Sequence, residues 1–489
     1  MPAAMAGFVF CALVWVLCLA GAPVFADPDT AWHLAAGDYI LAHRSIPLHD
    51  PWSFTAGSET WYNLSWLFDV GVSSLFSAGG FSALYALTLL TFSGGAAFMA
   101  LQCRARGASV IATLLAAGVA ACVIFPGVLA RPSLCSFLLT PLFYRQLWRY
   151  RTFGLTRDII WLPALLALWV NLHAGFVLAM AIMALFLIDA AWERDRRRVR
   201  GLCLLMAACL PATLLNPYGF RIYQGIYRTM SSDFIQNYIV EWGPVEIGRD
   251  WPMTLLLSVL LFVAVVGRQS TSRLPLIDRM LAPMLLIASL ASGRHGPIAA
   301  LLMMPYLSLR LSDLLSHSRL LEIETLLCVQ YRDRTGLRAV CAAMVLLSGA
   351  FIILPWPRER LQGGAPGFPP GDFPAEEAAY VSLHCSGLRF LNHYSLGGYL
   401  VYIWRGSEKV FVDGRASTVY REEVLDDYIN FVDSGGYGDR AASIAARYKL
   451  DGLIIPKDQD DAGLFSSNPR WQAVFKGTVA TIYLKALTP

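Results

Sequence analysis

Apolar residues in this chain come in runs, and most of the runs have the length of a bilayer crossing. A helix needs about 20 apolar residues, roughly 17–25, to pass through the hydrocarbon core. Runs of this kind fall at 5–26, 81–102, 108–126, 133–149, 158–172, 174–191, 201–216, 251–267, 275–291, 296–311 and 338–355. Several are short, and the pairs that meet at 171–175 and at 293–296 must turn tightly. The stretch 63–79, NLSWLFDVGVSSLFSAG, is also apolar but carries Asp69 and several glycines and serines. It reads either as a further crossing or as a helix lying in the interface. From about 356 the pattern changes. A Pro/Gly-rich linker, 356–375, precedes a region of ordinary soluble content, 376–489, in which YLVYIW, KVFVDG, DGLIIP and VATIYLK read as strands and EEVLDDYINFV and RAASIAARYK as helices.

Charge decides the orientation. With 63–79 in the interface and the N-terminus inside, the basic links at 103–107, 144–157, 192–200, 267–279 and 310–338 all face the cytoplasm, as the positive-inside rule requires. If 63–79 crosses, every one of them flips outside. The first arrangement gives about eleven crossings, and an odd number carries the C-terminal region to the outer face. The first run ends in APVFA, similar to a signal-peptide cleavage site, but MPAAMAGF has no Lys or Arg and the run is long enough to span, so an uncleaved helix is expected. Asp27 emerges on the outer face in either case.

Composition agrees. Of 489 residues 56% are hydrophobic and 15% charged, against about 25% charged in soluble domains, and the mean hydropathy is +0.50. The expected fold is a polytopic α-helical membrane protein: a transmembrane domain over 1–355 with an outer loop at 27–80, then the linker, then a small extracytoplasmic α/β domain. The net charge of +4 says little, and no nucleic-acid partner is expected. Of ten cysteines only Cys385 falls in the outer region, so no disulfide framework follows.

The unusual polar residues gather at the expected outer ends of the helices: Asp27, Asp29 and His33, then His49 and Asp50, Arg131, Asn171 and His173, Asn216 and Arg221, Glu241, and Arg294 and His295. Ionisable groups near membrane depth are costly and commonly mark a site. Each has a structural reading too. Asp27, Asp29 and Asp38 suit a solvated loop, His33 and His49 suit satisfied interfacial histidines, Arg131 can snorkel to head groups, and LLNPYGFR (214–221) is a good helix terminator. Their placement on one side is the stronger signal. Trp32, Tyr39, Trp52, Phe54, Trp61, Tyr62 and Trp66 belong to the same outer loop, which reads as short helices on the outer leaflet roofing what lies below.

The stretches DPDTAWHLAAGDYI, LHDPWSFT, WYNLSWLFDV, WVNLHAGF, LLNPYGFRIY, EWGP and GRHGP, with SLGGYLVY and KVFVDGRASTVY in the tail, together resemble the GT-C superfamily of integral-membrane glycosyltransferases of the bacterial, polyprenyl-phosphate-sugar-dependent type. The resemblance implies an inverting transfer of a sugar from a polyprenyl-phosphate-linked donor to a glycan, lipid or protein acceptor at the outer face of the cytoplasmic membrane. Asp29 or Asp27 would take the acceptor proton. Arg131, Arg221, Arg294 or His295 would meet the phosphate, with His33, His49, Asp50, Asn171, His173 and Glu241 lining the site. Asp27 and Asp29 would be the ligands if Mg²⁺ or Mn²⁺ takes part. Two other classes compete: a transporter or flippase, which would place its polar features near the midplane and often show inverted repeats, and a non-catalytic scaffold.

Overall fold

The computed structural model describes residues 24–25, 27–57, 59–266, 274–316, 368, 371, 373–460 and 463–486. The expected crossings at 5–26 and 338–355, most of the linker and much of the 310–338 loop lie outside these residues. Contacts group the chain into two compact units: one holds Tyr85–Gly219 and Val240–Leu354 with the N-terminal Met1–Pro23, the other Val24–Leu84, Phe220–Ile239 and Pro355–Pro489.

The first unit is helical. Its helices are Val110–Ile124, Ser133–Phe153, Leu162–Trp169, Phe176–Trp192, Arg196–Ala212, Trp251–Val266, Leu276–Ala291 and Gly296–Leu315, with the later part of Trp66–Ala105. Ser109 caps the first of these by accepting the Ala112 N–H at 3.1 Å. Its buried face is built of small residues, Ala112, Ala116 and Ala120. A small-residue face lets helix backbones approach closely, and Leu307 of Gly296–Leu315 packs on Ala116. Close to that cap Arg106 forms a bidentate pair with Asp278, and Asp189 accepts both Arg151 Nε at 2.7 Å and the Ile277 N–H at 3.1 Å. Asp278 and Asp189 are buried carboxylates, costly unless paired, and both are paired.

Among the described residues three helices are long and apolar enough to cross a membrane, Trp66–Ala105, Val110–Gly127 and Gly293–Leu315, with shorter apolar helices at Phe176–Trp192 and Trp251–Leu261. The chain is a multi-pass membrane protein. The sequence places a break between 63–79 and 81–102, and within Trp66–Ala105 the residue between those two runs, Gly80, is non-helical at φ 59° and ψ −152°, a backbone that only glycine adopts freely.

The second unit combines Asp29–His43, the first part of Trp66–Ala105, the short helices Ile222–Met230 and Asp233–Tyr238, and the C-terminal α/β region. That region has helices Ala375–His384, Tyr394–Trp404, Glu422–Asp433 and Gly438–Tyr448 and a sheet of β1 (Phe390–Asn392), β2 (Gly452–Pro456), β3 (Trp471–Lys476) and β4 (Ala480–Lys485) in the order β1-β2-β4-β3. β1 and β2 are parallel and the other pairs antiparallel. DGLIIP and VATIYLK are strands as expected. YLVYIW is not. It lies within the helix Tyr394–Trp404, whose first free N–H is capped by His393 Nδ1. Its residues 396–402 are all buried, so no polar face alternates with an apolar one and the β-rich composition is overruled by packing on every side. KVFVDG is not a strand either: it holds an isolated bridge, Ser53 to Val410, followed by a bend and a turn.

The aromatic roof is a second correction. Trp52, Trp61 and Tyr62 are 3%, 1% and 5% exposed, so they are core residues and not interfacial anchors. The guanidinium of Arg415 lies 4.9 Å from the ring centroids of both Trp52 and Trp61, and a cation on an aromatic face is favoured once desolvated.

Candidate functional site

The acidic stretch opens the helix Asp29–His43. Asp27 Oδ1 accepts the Asp29 N–H at 2.8 Å, fixing the first turn, and Asp29 Oδ1 accepts Trp32 Nε1–H at 3.0 Å. Each carboxylate thus makes a local bond, Asp27 to the backbone and Asp29 to an indole. The Asp29 carboxylate is also met by Gly414 from the C-terminal region: a Cβ there would lie 1.9 Å from Asp29 Oδ1.

One turn on, His33 is buried and its Nδ1 lies 2.6 Å from Asp69 Oδ1. Asp69 also accepts Asn63 Nδ2 at 2.7 Å, and the His33 ring lies against Trp32 at a 32° tilt with centroids 3.6 Å apart. Gly37 makes the crossing possible, since a Cβ at that position would fall 2.1 Å from the Asp69 carbonyl oxygen.

Asp50 is buried in an ion pair. It accepts Arg415 Nη1 at 2.6 Å and the N–H groups of Trp52 and Ser53 at 3.0 and 2.9 Å, with Ser53 Oγ beside it. Burial alone would raise the Asp50 pKa, but the charge and hydrogen bond of Arg415, helped by Ser53 and the Trp52 N–H, hold it below the ordinary 3.8. His49 is exposed and shares its Nδ1 with the Glu59 carbonyl at 3.2 Å. Arg221 is exposed at the start of Ile222–Met230.

A second set of residues belongs to the helical unit. Glu241 receives Arg131 Nη2 at 2.9 Å and Arg294 Nη1 at 2.7 Å, and Arg294 lies 4.8 Å over the Trp242 ring. Burial would raise the Glu241 pKa, yet Arg294 and then Arg131 bring it below the ordinary carboxylate value. Two guanidinium groups thus share one carboxylate. Beside them, among the described residues, His295 Nδ1 is buried without a hydrogen-bond partner.

His173 and Asn171 sit in the break between Leu162–Trp169 and Phe176–Trp192. Asn171 Nδ2 bonds the carbonyls of Ala167 and Leu215, both at 2.8 Å, and so joins two chain breaks. Ser136 Oγ accepts Trp169 Nε1–H at 3.0 Å and donates to His173 Nδ1 at 2.6 Å, while the Gly175 N–H reaches the same nitrogen at 3.1 Å. With Nδ1 accepting, the neutral ring carries its proton on Nε2. Asn216 organises its own turn, bonding the Tyr218 N–H and the Thr213 carbonyl, both at 2.8 Å, which is the helix-terminator role expected of LLNPYGFR.

The residues singled out in the sequence thus fall into two sets. Asp27, Asp29, His33, His49, Asp50 and Arg221 belong to the unit with the α/β region, and Arg131, Asn171, His173, Glu241, Arg294 and His295 to the helical unit. Sequence reasoning passed over Asp69, Asp413, Arg415 and Ser136. Asp69 was legible as an acid inside an apolar stretch; nothing in the local sequence marks Ser136. Among the described residues no group of three or more His, Cys, Asp or Glu side chains gathers as a metal site would.

No protein-family model matches the chain, and no curated protein matches it. Solved structures do. The oligosaccharyltransferase of Archaeoglobus fulgidus in its apo form superposes with a TM-score of 0.61 at 11% identity, covering 99% of this chain and 74% of that one. The same organism's AglB in complex with an inhibitory peptide and a dolichol-phosphate gives 0.51 at 12%, with the same coverage. ArnT from Cupriavidus metallidurans bound to undecaprenyl phosphate gives 0.51 at 12%, covering 97% of both chains. At such identities a likeness speaks for the fold alone, and over nearly the whole chain that fold is shared with these proteins.

Proposed function

We propose that this protein is an integral-membrane glycosyltransferase. It moves a sugar from a polyprenyl-phosphate-linked donor to an acceptor at the outer face of the bacterial cytoplasmic membrane. The observation that carries this reading is the likeness, over 97% of both chains, to a structure that holds undecaprenyl phosphate.

The chemistry asks for two things. An inverting transfer needs a base at the acceptor nucleophile and positive charge at the departing phosphate. Asp29 is assigned as the base: it begins a helix, is half-buried, and is oriented by Trp32, so the carboxylate is in place before the acceptor arrives. Asp27 fixes that turn and is the alternative base. Phosphate binding is assigned, separately, to Arg131 and Arg294. Planar guanidinium groups bind phosphate oxygens in bidentate fashion, and their shared Glu241 holds both forks in place. His295 Nδ1, and the Nε2–H that His173 carries when neutral, are polar groups suited to the same ligand. His33, His49, Asp50, Asn171 and Arg221 are assigned to shaping and lining. A divalent cation, Mg²⁺ or Mn²⁺, fits Asp27 and Asp29 as a donor set, because such ions commonly take one or two carboxylates and complete their shell with phosphate and water; it would supply charge stabilisation there.

Asp29→Ala is expected to lower transfer by about 10²- to 10⁴-fold, the usual worth of a general base, with membrane insertion and protein level unchanged. Normal transfer by both Asp27→Ala and Asp29→Ala would sink the assignment.

A further inference from the structure

The C-terminal region reaches the carboxylate assigned as base. The turn Asp413-Gly414-Arg415 lies against the first turn of Asp29–His43, and three separate observations fix it there. Asp413 accepts Arg415 Nε at 2.8 Å, Arg415 Nη2 at 2.6 Å and Tyr420 Oη–H at 2.7 Å. Arg415 bonds on to Asp50, with its fork 4.9 Å from both the Trp52 and the Trp61 ring centroid. The helix Tyr394–Trp404 clamps both partners through two adjacent glycines: a Cβ on Gly397 would lie 2.1 Å from the Val412 carbonyl oxygen, and one on Gly398 would lie 2.4 Å from that of Pro28.

Gly414 is the point of contact. Its φ is not in the left-handed region, so its backbone does not call for glycine. What calls for glycine is the space: a methyl there meets Asp29 Oδ1 at 1.9 Å and Trp32 Nε1 at 3.2 Å, which would push the carboxylate off its indole donor. We propose that Asp413-Gly414-Arg415 is a positioning element for Asp29, so that the outer α/β region is part of the reaction machinery and not only a cover. This rests on the assignment of Asp29 as base.

The test uses the full chain, purified in detergent, as wild type, Gly414→Ala, Asp29→Ala and the double variant. Gly414→Ala should lower the melting temperature by about 1–3 °C, and the loss should vanish in the Asp29→Ala background, where the oxygen it meets is gone. Labelling by a water-soluble carbodiimide and glycinamide, read by peptide mass spectrometry, should change at Asp29 relative to Asp27 by about threefold or more, as a displaced carboxylate would. Cells carrying Gly414→Ala at normal protein level should accumulate lipid-linked sugar. Equal melting losses in both backgrounds with unchanged labelling overturn the contact. Altered labelling without accumulation, where Asp29→Ala does accumulate, overturns the positioning role. If Asp29→Ala alone causes no accumulation, the assignment of the base fails and the positioning role falls with it. Arg415→Lys, which keeps the charge but loses the fork to Asp413 and Asp50, is expected to change the labelling of Asp29 and accumulate lipid-linked sugar as Gly414→Ala does, with a melting loss that persists in the Asp29→Ala background.

Discussion

Single side chains in the unit that holds the α/β region are bound by strong polar contacts that cost much to remove. Asp50 and Arg415 are both fully buried at their charged ends, and Arg415 is held by Asp413 as well, so removing the Asp50 charge forfeits one charge-assisted hydrogen bond while leaving Arg415 paired. Asp50→Asn is expected to destabilise the unit by about 1–3 kcal/mol at pH 7, measured by thermal unfolding of the purified chain. The sign with pH follows from the depressed pKa of Asp50. The unfolded state binds its proton near 3.8, the folded state only below that, so the contribution is complete above the ordinary value and drains away as pH falls below it. The variant and wild type should therefore converge in strong acid.

At the scale of elements, glycines set how closely segments approach. Gly37 in Asp29–His43 sits against the Asp69 carbonyl and, at 2.5 Å for an added Cβ, against Ser73 of the crossing helix. Gly37→Ala must part the two helices or bend one of them, at a cost of about 1–3 kcal/mol, and it should weaken the His33–Asp69 bond as the helices separate. A melting temperature equal to that of wild type would contradict the packing. The apolar helices themselves were legible as runs, and their ends coincide within a few residues with Val110–Ile124, Phe176–Trp192 and Leu276–Ala291. Composition alone misread Tyr394–Trp404, because strand-forming residues buried on all sides carry no alternation to distinguish strand from helix.

For the whole molecule, the reading as a glycosyltransferase predicts the fate of its donor. Cells lacking the protein should accumulate a lipid-linked sugar, and mass spectrometry of their lipid extract would name it. An unchanged lipid extract would count against a polyprenyl-phosphate donor.

The sequence by itself determined that this chain lives in a membrane, because 15% charged residues cannot solvate so many apolar runs in water. It also singled out Asp27 and Asp29 at the end of such a run, since charge there is expensive enough to stand out. Tertiary structure decided the rest. That Arg131 and Arg294 share Glu241, across separations of 110 and 53 residues, and that Asp50 pairs with Arg415 across 365, depends on chain closure over distances no local pattern encodes. The roles of Trp52 and Trp61 changed for the same reason: an aromatic residue suits a lipid interface or a buried cation equally well, and only the arrival of Arg415 determines which.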